Sequence, residues 1–571
     1  MLDFRTVTGK APADALSQPD AAERLWAALP REPLEMQRQL CDALASGAGW
    51  ERPDIQRLRA LRQIDRRMDR VLDALLSEYV ALGGQSPALE RQLGQAALEL
   101  SRAFAQEFER YFRFASMSGA SPAWQERLPE LAVRMFRHRE IDLVLSLCRY
   151  ERWPRGRWKP LHDAYKCLLA RAAVAQPLPM RQRTDGSIVT ITPEQAYLRI
   201  LLIHLMDGGR FRPDEIVATR RIVARWCEAP ELRGTIAAGP DGDVASGFVV
   251  DLAGTDGPAR GSDDLAISPD HLHIDTRTLV DALDAMIAER NDPSSINSNG
   301  IPVDRKSDLL RKLRDVYSPR PKAFKRRGER IAVALMSVEA TLGNMQAIFR
   351  MLRDEGRRGV VAGEDSAHYS DEITISDVGA ASAAADSAAT AESATAANAA
   401  YSAWQIRDRS ESGCRLRGRA SEAQLLLPGL LMAFRDQKNA PWTLGVVRRL
   451  NRVIGNNVEL GVEHLGRNPQ RVLLIPAATG TEATAGEGRA ERILALYLPE
   501  SDGFPRMPIK SLIVPACEYA HGRIVGMVTA QRDVLIRFKA PLEQQADFVW
   551  TSFEPLDDAG AVARSDSDDA R

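Results

Sequence analysis

The apolar residues of this chain change their spacing part of the way along the sequence. Up to about residue 230 they recur at steps of three and four, the pattern of amphipathic helices. After about residue 404 they alternate with polar residues, the pattern of strands with one buried face. Because one regular fold class does not accommodate both patterns, the spacing predicts a multidomain α+β protein whose helical part comes first.

Residues 1–230 are predicted to form a helical bundle. The clearest segment opens at Pro53, carries apolar residues along one face and ends at Gly83. Thr192 followed by Pro193 is typical of a helix start, since Thr caps a helix and Pro suits its first turn. Further amphipathic helices are expected at about 88–115, 124–150, 159–175, 193–206 and 214–228.

Residues 231–320 are predicted to form a mixed α/β region. Short β-like runs at 247–252 and 271–274 precede a helix at 277–290 and a basic helix at 305–316. On a strand, His271 and His273 would point to one face, as metal ligands must. No further Cys or His cluster supports such a site, so we predict no bound metal.

The charge balance excludes one class of function. The chain has 76 Lys and Arg against 77 Asp and Glu in 571 residues, a formal net charge of −1. Bulk attraction to nucleic acid or anionic lipid is therefore not expected. Basic residues nevertheless gather from about 305 to 330. The balance leaves room for a small anion held by a few arginine side chains.

Several features favour a bacterial-type cytoplasmic protein. The six cysteines lie far apart without a C-x-x-C pair, which suits a reducing compartment. The N-terminal residues lack the apolar core of a secretory signal. The longest apolar run, at 200–206, is far shorter than the roughly 20 residues of a membrane span.

The last part of the chain is predicted to be rich in β-strands. Alternating apolar residues at 442–447 and 458–463 flank Gly455-Asn456-Asn457, which indicates a hairpin. Further β-like runs make residues 477–557 an all-β module. The Ala-, Ser- and Thr-rich insertion at 361–403 and the tail at 558–571 are predicted to be disordered.

Two short motifs stand at the start of this β-rich part. One is Arg326-x-x-x-Arg330, and the other is Asp408-x-Ser410-x-x-Gly413. Each leads into a strand-like run. Each is common by itself, because arginine clusters are usually solvated faces and a D-x-S-x-x-G string is usually a plain turn. Their order along the chain gives them more weight.

An RxxxR motif, a strand, a DxSxxG motif and later strands that include Leu460-Gly461-Val462 resemble the PilZ domain, a family of small β-barrels that bind cyclic di-GMP. The resemblance covers about residues 325–476. It implies a PilZ-like barrel at 321–476, interrupted by a helix-like segment at 341–353 and by the disordered insertion.

The resemblance implies that arginines clamp the ligand. Arg326 and Arg330 would bind guanine edges or phosphates through their planar forks, with Lys325 or Arg327 adding charge. The lead-in that carries them would become ordered when the ligand binds. Lysine would replace either clamp arginine poorly, because a point charge lacks the fork geometry.

The second motif supplies the remaining predicted contacts. By the same resemblance, Asp408 accepts hydrogen bonds from guanine N1 and N2, and Ser410 contacts the base or phosphate. Gly413 provides either a positive φ or a close backbone approach. Arg353-x-x-x-Arg357 is a second RxxxR string, and it ranks lower because a poorer strand follows it.

These observations predict a receptor rather than an enzyme. The chain carries none of the common catalytic or nucleotide-phosphate motifs and no signature of enzymes that make or degrade cyclic di-GMP. The expected ligand is cyclic di-GMP, without cofactor or metal, and the expected partner is an unidentified effector protein. The alternative is a PilZ-like scaffold that binds proteins but no nucleotide. Binding of single-stranded RNA is the weaker third reading, since no row of aromatic residues is present. His464 is expected on a strand surface.

Overall fold

The structure is a computed structural model in which two compact units are distinguished, Met1–Lys325 and Arg326–Arg571. The residues that it describes are 16–46, 53–82, 86–181, 188–227, 247–260, 270–290, 303–318, 331–360, 402–419, 426–436, 440–453, 457–476, 492–499, 510–528 and 533–556. The predicted α+β class is confirmed, since helices dominate the first unit and strands the second.

The described helices of the first unit follow the predicted ones closely. Thr192 begins one of them with a reciprocal cap, in which its Oγ1 accepts from the Gln195 amide at 3.1 Å and the Gln195 side chain accepts from the Thr192 amide at 2.9 Å. The helices are α1 Pro19–Ala28, α2 Pro33–Ala45, α3 Ile55–Leu82, α4 Pro87–Ser116, α5 Pro122–Gln125, α6 Leu128–Cys148, α7 Trp158–Leu169, α8 Pro193–Leu205, α9 Pro213–Cys227, α10 Arg277–Arg290 and α11 Val303–Tyr317.

Helix α6 lies in the core of this unit and buries charged side chains as well as apolar ones. Arg134 and His138 both contact the buried carboxylate of Asp65, which comes from α3. Burial opposes ionisation of Asp65, but the charge of Arg134 and the contact with His138 hold its pKa below the usual range. The charges of α6 are therefore compensated inside the bundle rather than exposed.

The mixed region shares the core of the helical bundle. The strands are β1 Leu178–Arg181 and β2 Ile188–Ile191, which form a hairpin, and β3 Phe248–Asp251, β4 Ala259–Arg260 and β5 His271–Ile274, with β3 in the centre of a three-stranded sheet. Phe248, Leu279 and Leu309 belong to the same apolar cluster as the bundle helices. Tyr317, at the end of α11, donates to the Leu202 carbonyl of α8 at 3.0 Å.

The second unit begins with a closed six-stranded barrel, the first barrel. Its strands are β6 Ile331–Gly343, β7 Ser402–Ser410, β8 Gly413–Arg419, β9 Leu431–Arg435, β10 Thr443–Arg452 and β11 Asn457–Arg467. Around the barrel the order is β6-β7-β8-β11-β10-β9, and β9 pairs again with β6. All the pairs are antiparallel, which includes the predicted β10–β11 hairpin.

A second closed barrel follows directly and contains the predicted all-β module. Its strands are β12 Gln470–Pro476, β13 Ile493–Leu498, β14 Ser511–Pro515, β15 Ile524–Val528, β16 Asp533–Gln544 and β17 Phe548–Pro555. They run in the order β12-β13-β14-β17-β16-β15. Numbered within each barrel, the first strand pairs with the second and fourth, and the third pairs with the sixth, in both barrels. The second barrel therefore repeats the strand order of the first.

One helix, α12 Met345–Val360, interrupts the first barrel between β6 and β7. The expected helix-like segment at 341–353 begins too early, because β6 continues to Gly343 and the Asn344 side chain caps the helix by accepting from the Ala347 amide at 3.0 Å. Met345, Ile348 and Phe349 pack in one cluster with residues of both barrels. The helix therefore joins the two barrels through a common apolar core. Residues 361–401 of the predicted insertion and the tail at 558–571 lie outside the described residues.

Candidate functional site

The β7–β8 hairpin carries the second sequence motif. Ser410 pairs with Gly413 at the hairpin end, so that Glu411 and Ser412 form a two-residue turn between the strands. Asp408 lies two residues before the end of β7 and pairs with Arg415 of β8. The tight turn therefore brings the three motif residues onto one short stretch of the barrel rim.

Gly413 is required because the neighbouring strand is very close. A Cβ atom at this position would overlap the carbonyl oxygen of Val462, a backbone atom of β11. Among the glycines that the structure describes, Gly429 and Gly522 have positive φ. Of the two predicted reasons for Gly413, the structure thus shows the close backbone approach and not the left-handed conformation.

The side chain of Ser410 holds the turn. Its Oγ donates to the Gly413 carbonyl at 3.1 Å, which ties the last residue of β7 to the first residue of β8. The residue as a whole is half-buried. A hydroxyl group both donates and accepts, and Ser410 therefore keeps capacity for a further polar contact.

Asp408 places a carboxylate at the base of the hairpin. The residue is 6% exposed, and its Oδ2 lies 2.5 Å from Nη2 of Arg415, whose side chain is 48% exposed. The ion pair crosses from β7 to β8 in register. A carboxylate in this position can accept hydrogen bonds from a ligand, and the arginine beside it can move outward because it is half in solvent.

The first motif, Arg326 and Arg330 with Lys325 and Arg327, lies outside the described residues. The described chain resumes at Ile331, the first residue of β6, which pairs with Arg409. The next residue, Ala332, pairs with Asp408. Arg330 is therefore one peptide bond from a residue that lies beside the hairpin, and β6 enters the barrel at the place where the second motif stands.

The other RxxxR string has a different setting. Arg353 and Arg357 both belong to helix α12, which continues to Val360. Gly359 and Val360, which could have started a strand, are therefore helical. The second RxxxR string therefore lies in a helix and not at the entry to a strand.

His464 is buried inside the first barrel, and its predicted place on the surface is wrong. It continues the alternation of Val458, Leu460 and Val462, all of which point inward. Its ring packs against Phe434. Burial lowers the pKa of His464 to about 4, with a further contribution from the positive charge of Arg409. The histidine is neutral at pH 7 and forms part of the core behind the hairpin.

Sequence reasoning missed a row of outward residues that continues from Asp408 across the barrel. Asp408 pairs with Arg415 of β8, Arg415 pairs with Gly461 of β11, and Gly461 pairs with Arg449 of β10. These residues come from two hairpins, β7–β8 and β10–β11, that are separated in the sequence. Only the pairing register brings them together, and the G-V run at 461–462 was the single signal that the sequence offered.

Other types of site find little support. Within the part of the chain that the structure describes, no group of three or more His, Cys, Asp or Glu side chains is arranged to hold a metal ion. The strand predicted around His271 and His273 is present as β5. None of the described helices has the length and apolar character needed to cross a membrane.

Two family models match the chain. The N-terminal domain of the cyclic-di-GMP receptor FimW matches residues 20–236, and the middle PilZ domain of the same receptor matches residues 352–470. Together the two matches cover more than half of the sequence, and the second includes Asp408, Ser410 and Gly413. Arg326 and Arg330 precede it, and neither description names an enzyme. No curated protein matches the chain.

Proposed function

The chain belongs to the family of the cyclic-di-GMP receptor FimW and contains its PilZ domain, and from this premise we propose that it is a receptor for cyclic di-GMP. The ligand binds beside the β7–β8 hairpin of the first barrel. Arg326 and Arg330 hold it from the lead-in to β6, and Asp408, Ser410 and Gly413 hold it from the hairpin. Lys325 or Arg327 adds positive charge.

The observation that carries this proposal is the pairing register of β6 and β7. Ile331 lies opposite Arg409, and Ala332 lies opposite Asp408. A clamp that ends at Arg330 would thus adjoin the carboxylate of the second motif, although 77 residues separate Arg330 from Asp408 and the insertion lies between them. Long insertions at a barrel edge are tolerated because the entropy of loop closure grows only logarithmically with length.

The chemistry of the ligand suits these residues. Cyclic di-GMP presents two phosphates and two guanines, and each guanine has acceptors at O6 and N7 and donors at N1 and N2. Arginine forks match the phosphates and the acceptor edge, and a carboxylate matches the donor edge. The absence of a side chain at Gly413 lets β11 approach the hairpin closely, so that the neighbouring strand lies directly beside the proposed site.

The test is a calorimetric titration of the full chain with cyclic di-GMP. Wild type is expected to bind, and the double variant Arg326→Ala, Arg330→Ala is expected to lose at least about a hundredfold in affinity, because two charge-assisted contacts disappear. The double variant Arg353→Ala, Arg357→Ala is the matched control, since it removes an RxxxR string from a helix. Wild type without measurable heat, or equal losses in both double variants, would contradict the proposed site.

The proposal includes a downstream step and a compartment. Ordering of the lead-in by the ligand alters the surface that an effector protein contacts, so that the level of the second messenger is passed on. Capture of binding proteins with and without cyclic di-GMP tests this step, and a set of captured proteins that is identical in both conditions would contradict it. We place the receptor in the cytoplasm, and the six cysteines, which all lie in described residues and are free thiols, support this.

A second candidate function is a scaffold that binds proteins but no nucleotide. The ion pair between Asp408 and Arg415 favours it, because this carboxylate already has a cationic partner without a ligand. Under this reading wild type gives no heat with cyclic di-GMP and captures the same partner whether or not the nucleotide is present.

A further inference from the structure

A line of four residues crosses the outside of the first barrel, starting at the hairpin. The register places Asp408, Arg415, Gly461 and Arg449 side by side on β7, β8, β11 and β10. On the three strands after β7, the neighbouring residues Leu416, Leu460 and Leu450 pair with each other and are buried.

Because side chains alternate between the two faces of a strand, Arg415, Gly461 and Arg449 belong to the outer face. Arg449 is exposed, and Arg415 is half-exposed. We name Arg415, Gly461 and Arg449 the arginine shelf.

Gly461 leaves an open floor between two arginines. It has no side chain, and a Cβ atom there would lie 3.3 Å from Cβ of Arg449, which is shorter than an ordinary van der Waals contact. Strands are about 4.8 Å apart, so that Arg415 and Arg449 start about 10 Å from each other across the glycine. A flat ring or a phosphodiester fits between two side chains at this spacing. A guanidinium can stack on a purine and can also form bidentate hydrogen bonds with a phosphate.

The charges along the row also suit an anionic ligand. Asp408 carries a negative charge that Arg415 offsets at 2.5 Å. Arg449 adds a second positive charge on the other side of the neutral glycine. When the donor edge of a guanine takes the place of Arg415 on Asp408, the guanidinium of Arg415 is released beside the bound nucleotide and can turn to its phosphate.

We propose that the arginine shelf is the second half of the ligand site. Arg415 and Arg449 contact the half of cyclic di-GMP that lies away from the Arg326 and Arg330 clamp, with Gly461 as the floor beneath it. Arg415 changes partner from Asp408 to the ligand during binding. This inference rests on the proposed function, because it describes the same ligand at the same barrel.

A role of the shelf in ligand binding can be distinguished from a role in the stability of the barrel. Exposed arginines on a strand surface contribute little to folding, so their removal should leave the barrel intact. Contacts of a guanidinium with a phosphate or a base are much stronger than such surface interactions. Affinity should therefore respond to these arginines while the stability of the barrel does not.

The experiment is a calorimetric titration of the full chain with cyclic di-GMP in three variants. Arg449→Ala is expected to weaken binding about tenfold or more, and Arg415→Lys is expected to weaken it by a smaller factor because it keeps a charge beside Asp408 but loses the fork. Arg452→Ala is the control, since Arg452 is exposed at the end of the same strand as Arg449. This control should bind within about twofold of wild type.

Hydrogen exchange of the peptides covering β10 and β11 checks that each variant keeps the wild-type barrel. Wild type that binds while Arg449→Ala binds equally well would overturn the shelf and leave the proposed function standing. An equal loss in Arg449→Ala and Arg452→Ala would also overturn the shelf, because it would show a general charge effect. Wild type that binds no cyclic di-GMP at all would overturn the proposed function and the shelf together.

Discussion

The first and second barrels have the same strand order, but they differ at the connection between their second and third strands. In the first barrel this connection is a two-residue turn that carries the D-x-S-x-x-G motif. In the second barrel it runs through residues 499–510, whose sequence contains no such motif. The same architecture thus carries the predicted hairpin contacts in only one of its two copies.

The segment before the first strand differs as well. Arg467 and Arg471 repeat the RxxxR spacing at the start of the second barrel. The guanidinium of Arg471 lies over the ring of Phe349 in helix α12, 5.6 Å from its centroid. An arginine stacked on the helix that joins the barrels contributes to packing. The two barrels thus share a strand order but carry different residues at the corresponding rim.

The largest difference between the barrels is expected at their strand glycines. In Gly413→Ala the new Cβ meets the Val462 carbonyl of β11, a backbone atom that cannot move without loss of the β8–β11 pairing. We expect this variant to lose about 3 kcal/mol of stability in the first barrel and to lose nucleotide binding. Hydrogen exchange of β8 and β11 and calorimetric titration measure the two effects.

Gly526→Ala in β15 of the second barrel is the control. Its Cβ would lie 3.7 Å from the Ile475 carbonyl, an ordinary contact. It should change neither nucleotide affinity nor the exchange of β8 and β11. Equal behaviour of the two variants would mean that the close approach at Gly413 has no role.

The next largest effect is expected where the two barrels meet. Arg448 of β10 donates to Glu463 of β11 at 2.6 Å and makes a two-pronged contact with Glu543 of β16, one prong being 2.5 Å long. Although burial alone would lower it, these two carboxylates raise the pKa of Arg448. Arg448→Met is expected to destabilise the second unit by about 2 kcal/mol, because two partly buried carboxylates lose their partner.

Arg537→Met is the matched variant inside the second barrel. Arg537 pairs with Glu554 at 3.0 Å, and both side chains are more than a third exposed. Its loss should cost less than about 0.5 kcal/mol. Chemical denaturation of the two variants measures the difference, and a cost for Arg537→Met as large as that for Arg448→Met would show that the junction has no special role.

The sequence predicted the β-rich character of both barrels because alternation with period two is a local property. It did not predict that the two barrels share a strand order, since pairing joins strands far apart in the chain. The end of β6 was also misjudged. The strand propensity of Thr341 and Leu342 continued the strand to the residue before Asn344, and Asn344 then capped α12.

The site was predictable only in part, and for the same reason. Asp408, Ser410 and Gly413 form one local motif, so that a string of six letters was enough to place them together. The arginine shelf depends on the register of four strands, which no local string specifies. His464 could have been placed correctly, because it has the same parity as Val458 and Val462, but its polar side chain suggested the surface instead.

The buried histidine makes the first barrel sensitive to acid. The pKa of His464 is about 4 in the folded chain, below the ordinary value of 6.5, so the unfolded chain binds its proton first as the pH falls. The stability of the first barrel should therefore decrease between pH 6.5 and 4, by roughly 1.5 kcal/mol from pH 7 to pH 5.

The second barrel provides the internal reference for this effect, since the one histidine in residues 470–556 is His521, which is exposed. Hydrogen exchange should be measured at pH 7 and pH 5 and corrected for intrinsic rates. Between these two pH values, β11 should lose more protection than the strands of the second barrel. In His464→Leu the difference between the barrels should disappear. Equal losses of protection in both barrels of wild type would contradict the assignment.

Substitution of two serines is expected to have the smallest effect on stability. It also distinguishes most clearly a residue of the proposed site in the first barrel from a core residue of the second. Ser410 Oγ donates to the Gly413 carbonyl at the rim, whereas Ser511 Oγ accepts from the buried Trp550 indole at 2.9 Å. Ser511→Ala leaves a buried donor without this partner and should cost about 1 kcal/mol, and Ser410→Ala should cost about 0.5 kcal/mol. Affinity for cyclic di-GMP should follow the opposite order, because only Ser410 belongs to the proposed site. If Ser511→Ala weakened binding as much as Ser410→Ala, affinity would depend on the stability of the unit as a whole and not on the hairpin of the first barrel.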